Sequence, residues 1–288
     1  MPSGVSRVAG CAPIHTCPAR YSRADSSTVA RTGRRDRKTR IECVILTGQA
    51  SRASPLHRLR AVTLRLQSAS TARAATPVHI AHASTTELAG DLAVPNRARG
   101  LVLFPHHSVM SRSAPVAKFL ADLLYQHELA TLLVDLLTET EEAIDERTGK
   151  LRFDMTLLST RILGICSWAQ REPRVSGLSA GLFVTKTMTG AALLAATQQP
   201  TGFRTVVSYS GRPDLAGSAL GRVMMPTLFI VGSADEQSRH LSRQAIDRMH
   251  NDARLEVVTS TSGPVEEPAA LERVGRLSAA WFIERLKN

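Results

Sequence analysis

From about residue 77 onward, short continuous apolar runs alternate with stretches whose apolar residues recur every three to four positions. Residues 100–104, Gly-Leu-Val-Leu-Phe, are an unbroken apolar run ended by proline. That is the pattern of a strand buried on both faces. The spacing then predicts a helix over 113–126, with Ser113 as N-cap and Val116, Phe119, Leu120, Leu123 and Leu124 on one face. Residues 129–137 read as another buried strand, and 154–170 as a helix that sets Leu157, Ile162, Ile165 and Trp168 roughly on one face. The alternation continues with strands at 182–185, 205–208, 227–231 and 255–258, and with helices at 189–196, 238–249 and 268–286. Two short strands, 78–80 and 86–92, precede the first buried one. The acidic, polar stretch 138–150 reads as a loop or lid. Strands alternating with helices imply βαβ units, hence an α/β domain with a mostly parallel central sheet covered on both faces.

Residues 1–75 break this pattern. They are rich in Arg, Ser, Thr and Ala, with Tyr21 as their one aromatic residue, and show no sustained period. Such a segment cannot bury enough surface to offset its ordering entropy, so a disordered arm is expected before a domain spanning 76–288. Charge sharpens the division. The chain carries a formal net charge of +11, and residues 1–76 hold fourteen basic against three acidic residues, which is the whole excess. The predicted domain is therefore neutral. A basic arm could touch nucleic acid or an acidic membrane surface through its arginines, but without interleaved aromatics only non-specific phosphate contact follows. An organellar transit peptide shares this composition. An extension with no selected role is the preferred reading.

With 43% hydrophobic and 21% charged residues the chain is ordinary for a globular protein. Four cysteines (Cys11, Cys17, Cys43, Cys166) show neither metal-ligand spacing nor a disulfide framework, so a reducing cytoplasmic compartment is expected. No stretch reaches the length of a membrane span. There is no Gly-rich phosphate loop and no metal-ligand cluster, so neither cofactor nor metal is implied. The oligomeric state stays open.

Chemistry in an open α/β sheet sits beyond the carboxyl ends of the strands. Four such ends carry candidate groups: 104–112 (Phe-Pro-His-His-Ser-Val-Met-Ser-Arg), 181–192 (Gly-Leu-Phe-Val-Thr-Lys-Thr-Met-Thr-Gly-Ala-Ala), 230–236 (Ile-Val-Gly-Ser-Ala-Asp-Glu) and 259–268 (Thr-Ser-Thr-Ser-Gly-Pro-Val-Glu-Glu-Pro). Together with Gly-Arg-Pro-Asp-Leu-Ala at 211–216, these stretches resemble α/β-hydrolases of the dienelactone-hydrolase family, in its serine-nucleophile branch, and the resemblance spans 78–286.

That resemblance implies an α/β-hydrolase fold, acyl-bond hydrolysis as the ancestral reaction, and a place for each catalytic group. The first stretch resembles an oxyanion loop of the form His-Gly-Ser-Gly-Ser-Ser-Arg, which brings His106 and His107 to the site. His107 and Val109 stand where the family has glycine. The second resembles a Gly-Ala-Ser-Thr-Gly nucleophile elbow. Anchoring on Thr189-Gly190-Ala191-Ala192 puts Met188 at the nucleophile, Lys186 at the first small position, two extra residues after Phe183, and Thr189 next to the oxyanion hole. Asp235 corresponds to the catalytic acid. Glu266, Glu267 and Pro268 anchor the last stretch and put Gly263 where the base histidine belongs. A thioether cannot form and release an acyl-enzyme, so catalysis is expected to be lost or strongly weakened. The alternatives are hydrolysis through the hydroxyl of Thr187 or Thr189, a non-catalytic relative that binds a small apolar or acyl ligand or a partner, and action through the basic arm.

Overall fold

The computed structural model describes residues 73–82, 86–107, 111–198, 202–259 and 267–287. All of them belong to one unit, residues 53–288. The arm through residue 72, and Gly263, lie outside the described residues.

The apolar runs become the strands of one eight-stranded sheet: β1 (Thr76–His82), β2 (Thr86–Ala93), β3 (Leu101–His106), β4 (Ala130–Asp135), β5 (Ala180–Lys186), β6 (Val206–Gly211), β7 (Thr227–Gly232) and β8 (Ala253–Val258). Their order is β1-β2-β4-β3-β5-β6-β7-β8. β2 runs antiparallel to both β1 and β4, and every other pairing is parallel. Parallel neighbours need crossovers, supplied by α1 (Pro115–Gln126), α3 (Met155–Ala169), α4 (Met188–Gln198) and α5 (Glu236–Ile246). A further helix, α2 (Glu139–Thr148), follows β4, and α6 (Pro268–Arg285) ends the described chain. Among the described residues no helix is long and apolar enough to cross a membrane.

Strand side chains alternate between two cores, as the two-residue period requires. Leu101, Leu103, Leu182, Val184 and Phe229 join residues of α3, α4 and α5 on one face. Val102, Phe104, Phe183, Val207 and Ile230 join residues of α1 and α6 on the other. At Gly181 of β5 helix α6 approaches the sheet closely on that second face, because a Cβ there would stand 2.7 Å from Phe282 Cε1. Both faces being covered is why the central strands read as unbroken apolar runs.

The acidic stretch 138–150 is a helix, not the loop expected. Thr138 and Glu141 form a reciprocal capping box at its start, and Gly149, at φ 62°, ends it. Two ion pairs hold α2 down. Glu141 takes hydrogen bonds from Arg161 of α3 at 2.6 and 2.7 Å, which bring its pKa down to about 2. The fully buried Asp145 receives the Arg152 guanidinium at 2.7 Å.

The folded region also starts earlier than expected. Arg73, assigned above to the arm, packs on the domain with its side chain 6% exposed. It donates to Asp122 of α1 at 2.9 Å and to the Thr131 hydroxyl of β4 at 3.0 Å. Arg73→Ala should therefore destabilise the domain by about 1–2 kcal/mol, since hydrogen bonds to charged groups are worth this much when partly shielded. Urea unfolding monitored by circular dichroism would measure it, and an unchanged midpoint would exclude the anchor.

Candidate functional site

The carboxyl ends of β5, β6 and β7 surround a cavity of ≈ 580 Å³ lined by Phe153, Lys186, Thr187, Ser210, Arg212 and Asp235, with the first turn of α5 along one side. A second cavity, ≈ 300 Å³ and lined by Cys166, Ala180 and Arg204 among others, lies at the amino end of β5, away from all the candidate groups.

The backbone between β5 and α4 makes a sharp strand-to-helix turn, and its tip is Lys186. This residue has φ 51°, a left-handed conformation unusual for a residue with a side chain, and the β5–β6 register shifts beside it. The Arg212 amide donates to the Lys186 carbonyl at 2.9 Å, and the Gly190 amide to the Thr187 carbonyl at 3.0 Å. Met188, expected at the tip, is instead the first residue of α4, 1% exposed within the core against Leu182 and Val184. Strand β5 continues to Lys186, so the two residues read as extra after Phe183 belong to the strand itself. Thr189 is displaced likewise. Its side chain is fully buried, its hydroxyl 2.8 Å from that of Ser208, and it does not line the cavity. The residue that follows the tip is Thr187.

Asp235 does reach the cavity. It caps α5, with Oδ1 accepting from the Ser238 amide at 3.1 Å. Among the described residues no ion pair or hydrogen bond joins Asp235 to Lys186 or to a histidine. His240 and His250 are exposed on and just after α5. Gly263, at the expected base position, falls outside the described residues. Ser210 at the end of β6 shares the left-handed backbone, at φ 45°, and its buried hydroxyl has no hydrogen-bond partner among the described residues.

The histidines of the first stretch part company. His106 ends β3 in register with Asp135, 4% exposed, its ring 6.3 Å from that of Phe104 and both its nitrogens without a partner among the described residues. Burial, reinforced by His107 beside it, pushes its pKa down to about 3. His107 turns the other way, and its Nε2 lies 2.7 Å from the Thr187 hydroxyl. Burial and the nearby Arg152 guanidinium lower its pKa, and Asp145 opposes them. Arg112, also in that stretch, is structural: its amide and guanidinium bind Asp135, and Nη1 reaches Asp91 at 3.0 Å. The pairing of His107 with Thr187 joins residues eighty positions apart, and nothing in the sequence announces it.

This arrangement can be set beside known proteins. The dienelactone hydrolase of Anabaena variabilis is 42% identical in sequence, and the match covers 74% of this chain and 98% of that one at a TM-score of 0.71. The chain belongs to the dienelactone hydrolase family. A dienelactone hydrolase-like promiscuous phosphotriesterase from metagenomic libraries (16% identity, 73% and 98% covered, TM-score 0.60) and an esterase domain from Rhodothermus marinus (11%, 74% and 99%, 0.59) share the α/β-hydrolase fold. Proteins from two strains of Mycobacterium tuberculosis, each named "putative phosphoribosyl transferase", are 40% identical over 204 residues. The match covers 71% of this chain and 45% of theirs, so the chain spans less than half the length of these curated relatives. No protein-family model matches the chain.

His106 makes stability depend on pH. An unfolded chain protonates this imidazole near 6.5 and the folded domain only near 3, so the unfolded state binds more protons between those values. Its contribution is complete above pH 6.5 and is lost as pH falls. Between pH 7 and pH 4.5 the loss from this residue is about 3 kcal/mol. His106→Phe, which fills the same space beside Phe104 without a proton site, should flatten the pH dependence of urea unfolding by that order. An unchanged slope would show that the ring is not held neutral.

Proposed function

We propose that this dienelactone-hydrolase-family domain holds a small acyl-type ligand in the cavity at the ends of β5, β6 and β7, and that the serine-type hydrolysis of its family is lost or strongly weakened. Lys186 at the tip of the β5–α4 turn is the observation that carries the reading. In the family's elbow that tip presents the nucleophile. An ammonium group is no nucleophile, and an amine that did accept an acyl group would keep it as an amide. Gly263 at the base position supports the same conclusion from the sequence. Loss of a triad nucleophile or base costs about 10⁶ in turnover, roughly 8 kcal/mol of transition-state stabilisation, and losing both costs little more because they act together. Asp235 remains, but as a helix cap that meets no imidazole among the described residues.

Phe153 and the aliphatic stem of Lys186 give the cavity apolar wall, and the Lys186 ammonium, Thr187 and Ser210 give it hydrogen-bond donors. Those are the features that an acyl compound, with its apolar chain and its carbonyl or carboxylate oxygen, would meet. The transferase name of the mycobacterial relatives does not extend to this chain, because the match covers less than half of their length.

Steady-state assays with p-nitrophenyl acetate test the reading. The wild-type chain should show no sustained turnover above about 10⁻³ s⁻¹, far beneath the usual enzyme range near 10 s⁻¹. The double substitution Lys186→Ser with Gly263→His should raise it. Wild-type turnover of 1 s⁻¹ or more would overturn the proposal.

A further inference from the structure

The cavity wall contains one hydroxyl already hydrogen-bonded to an imidazole. Thr187 follows the turn tip, lines the cavity and is 8% exposed. Its Oγ1 lies 2.7 Å from Nε2 of His107, itself 8% exposed. Hydroxyl and base within hydrogen-bond reach are the first requirement for a nucleophile of this kind. Burial keeps the imidazole neutral at physiological pH, the form that can take a proton. The Lys186 ammonium, one residue back, shares the cavity and can offset negative charge on an attacked carbonyl oxygen.

We infer that Thr187, activated by His107, is an acyl acceptor, so that the site forms an acyl-enzyme through a residue that is not the turn tip and a histidine that comes from the loop after β3. This rests on the reading of the cavity as an acyl-ligand site. In the tautomer that carries its proton on Nδ1, the Thr187 hydroxyl donates to Nε2. As Oγ1 bonds to the acyl carbon, that proton passes to Nε2, and His107 then returns it to the departing alkoxide. Water attacks the resulting ester, giving its proton to His107 and releasing the carboxylic acid, and the hydroxyl is restored. Atoms and charge balance with an ester and water as the only reactants.

What the pair lacks sets its speed. His107 Nδ1 has no partner among the described residues, whereas in a triad a carboxylate holds that nitrogen. Losing that carboxylate costs about 10⁴ in turnover. A β-branched hydroxyl is also stiff about χ1 and reaches a carbonyl from few directions. The expected signature is therefore a single slow acylation, with deacylation slower still, rather than efficient turnover.

The test uses the full chain with excess p-nitrophenyl acetate. The expected result is a burst of one p-nitrophenolate per chain and one acetyl group on intact mass, mapped to Thr187 by peptide fragmentation. Thr187→Val should abolish the burst. His107→Gln should slow acylation by about 10²–10⁴, the usual worth of a general base. Thr187→Ser, which keeps the hydroxyl and drops the branch, should retain label at position 187 and accelerate its formation, a gain that a merely structural role would not produce. Acetyl on Lys186 with Thr187 unmodified would overturn the inference and leave the cavity reading in place. No acetyl on any cavity residue would also overturn it. If, in addition, the unreactive amide analogue p-nitroacetanilide gave no binding by calorimetry, the cavity reading itself would fall.

Discussion

The site depends on one backbone constraint: a residue with a side chain held in the left-handed region at the end of β5. For an L-residue that conformation costs roughly 1–2 kcal/mol. It persists because the surroundings over-determine it. The Lys186 carbonyl is fixed by the Arg212 amide of the next crossover, and the Thr187 carbonyl by Gly190. The helix that follows cannot slide, since a Cβ on Gly190 would stand 2.5 Å from Leu215 Cβ, and Met188 is sealed in the core. With its backbone so fixed, the tip residue must send its side chain out over the sheet end, into the cavity. Ser210 repeats the device one strand away, so two non-glycine residues in strained geometry flank the same space.

The sheet was legible because both its faces are covered. A strand buried on two sides must be apolar without interruption, and 100–104, 129–137 and 227–231 say so directly. The turn after β5 is harder to place, because Thr189-Gly190-Ala191-Ala192 resembles the family's elbow and draws the tip toward Met188. Helical spacing held the better signal. Met188 stands three, four and seven positions before Ala191, Ala192 and Ala195, all fully buried, so it belongs to the inner face of α4 and not to an exposed tip. In the same way Thr138-x-x-Glu141 is a capping-box signature that marks α2 as a helix despite its acidity. Other features had no local signal. Arg73 lies in an arginine-rich arm and looks like its neighbours until Asp122 and Thr131 are brought beside it. His106 and His107 are adjacent in sequence, yet one, still in β3, faces Phe104 and the other, just past the strand end, meets the cavity's Thr187.

A lysine at the turn tip changes what the cavity can do with charge. In a triad, the carboxylate stabilises a cation that exists only while the proton is on the histidine, so its effect grows toward the transition state. Lys186 brings an ammonium group to the cavity. It attracts an oxygen-rich ligand before any reaction and a developing oxyanion more strongly during one, so it serves occupancy and charge build-up together. Asp235, committed to the first turn of α5, no longer has a charge to meet as the reaction proceeds. The cavity's cation therefore helps hold a ligand and meet its charge, and proton transfer is left to the group whose charge can change. That group is the His107 imidazole, hydrogen-bonded to the cavity-lining Thr187 hydroxyl, where a proton transfer adds a second cation to the Lys186 ammonium beside a developing oxyanion.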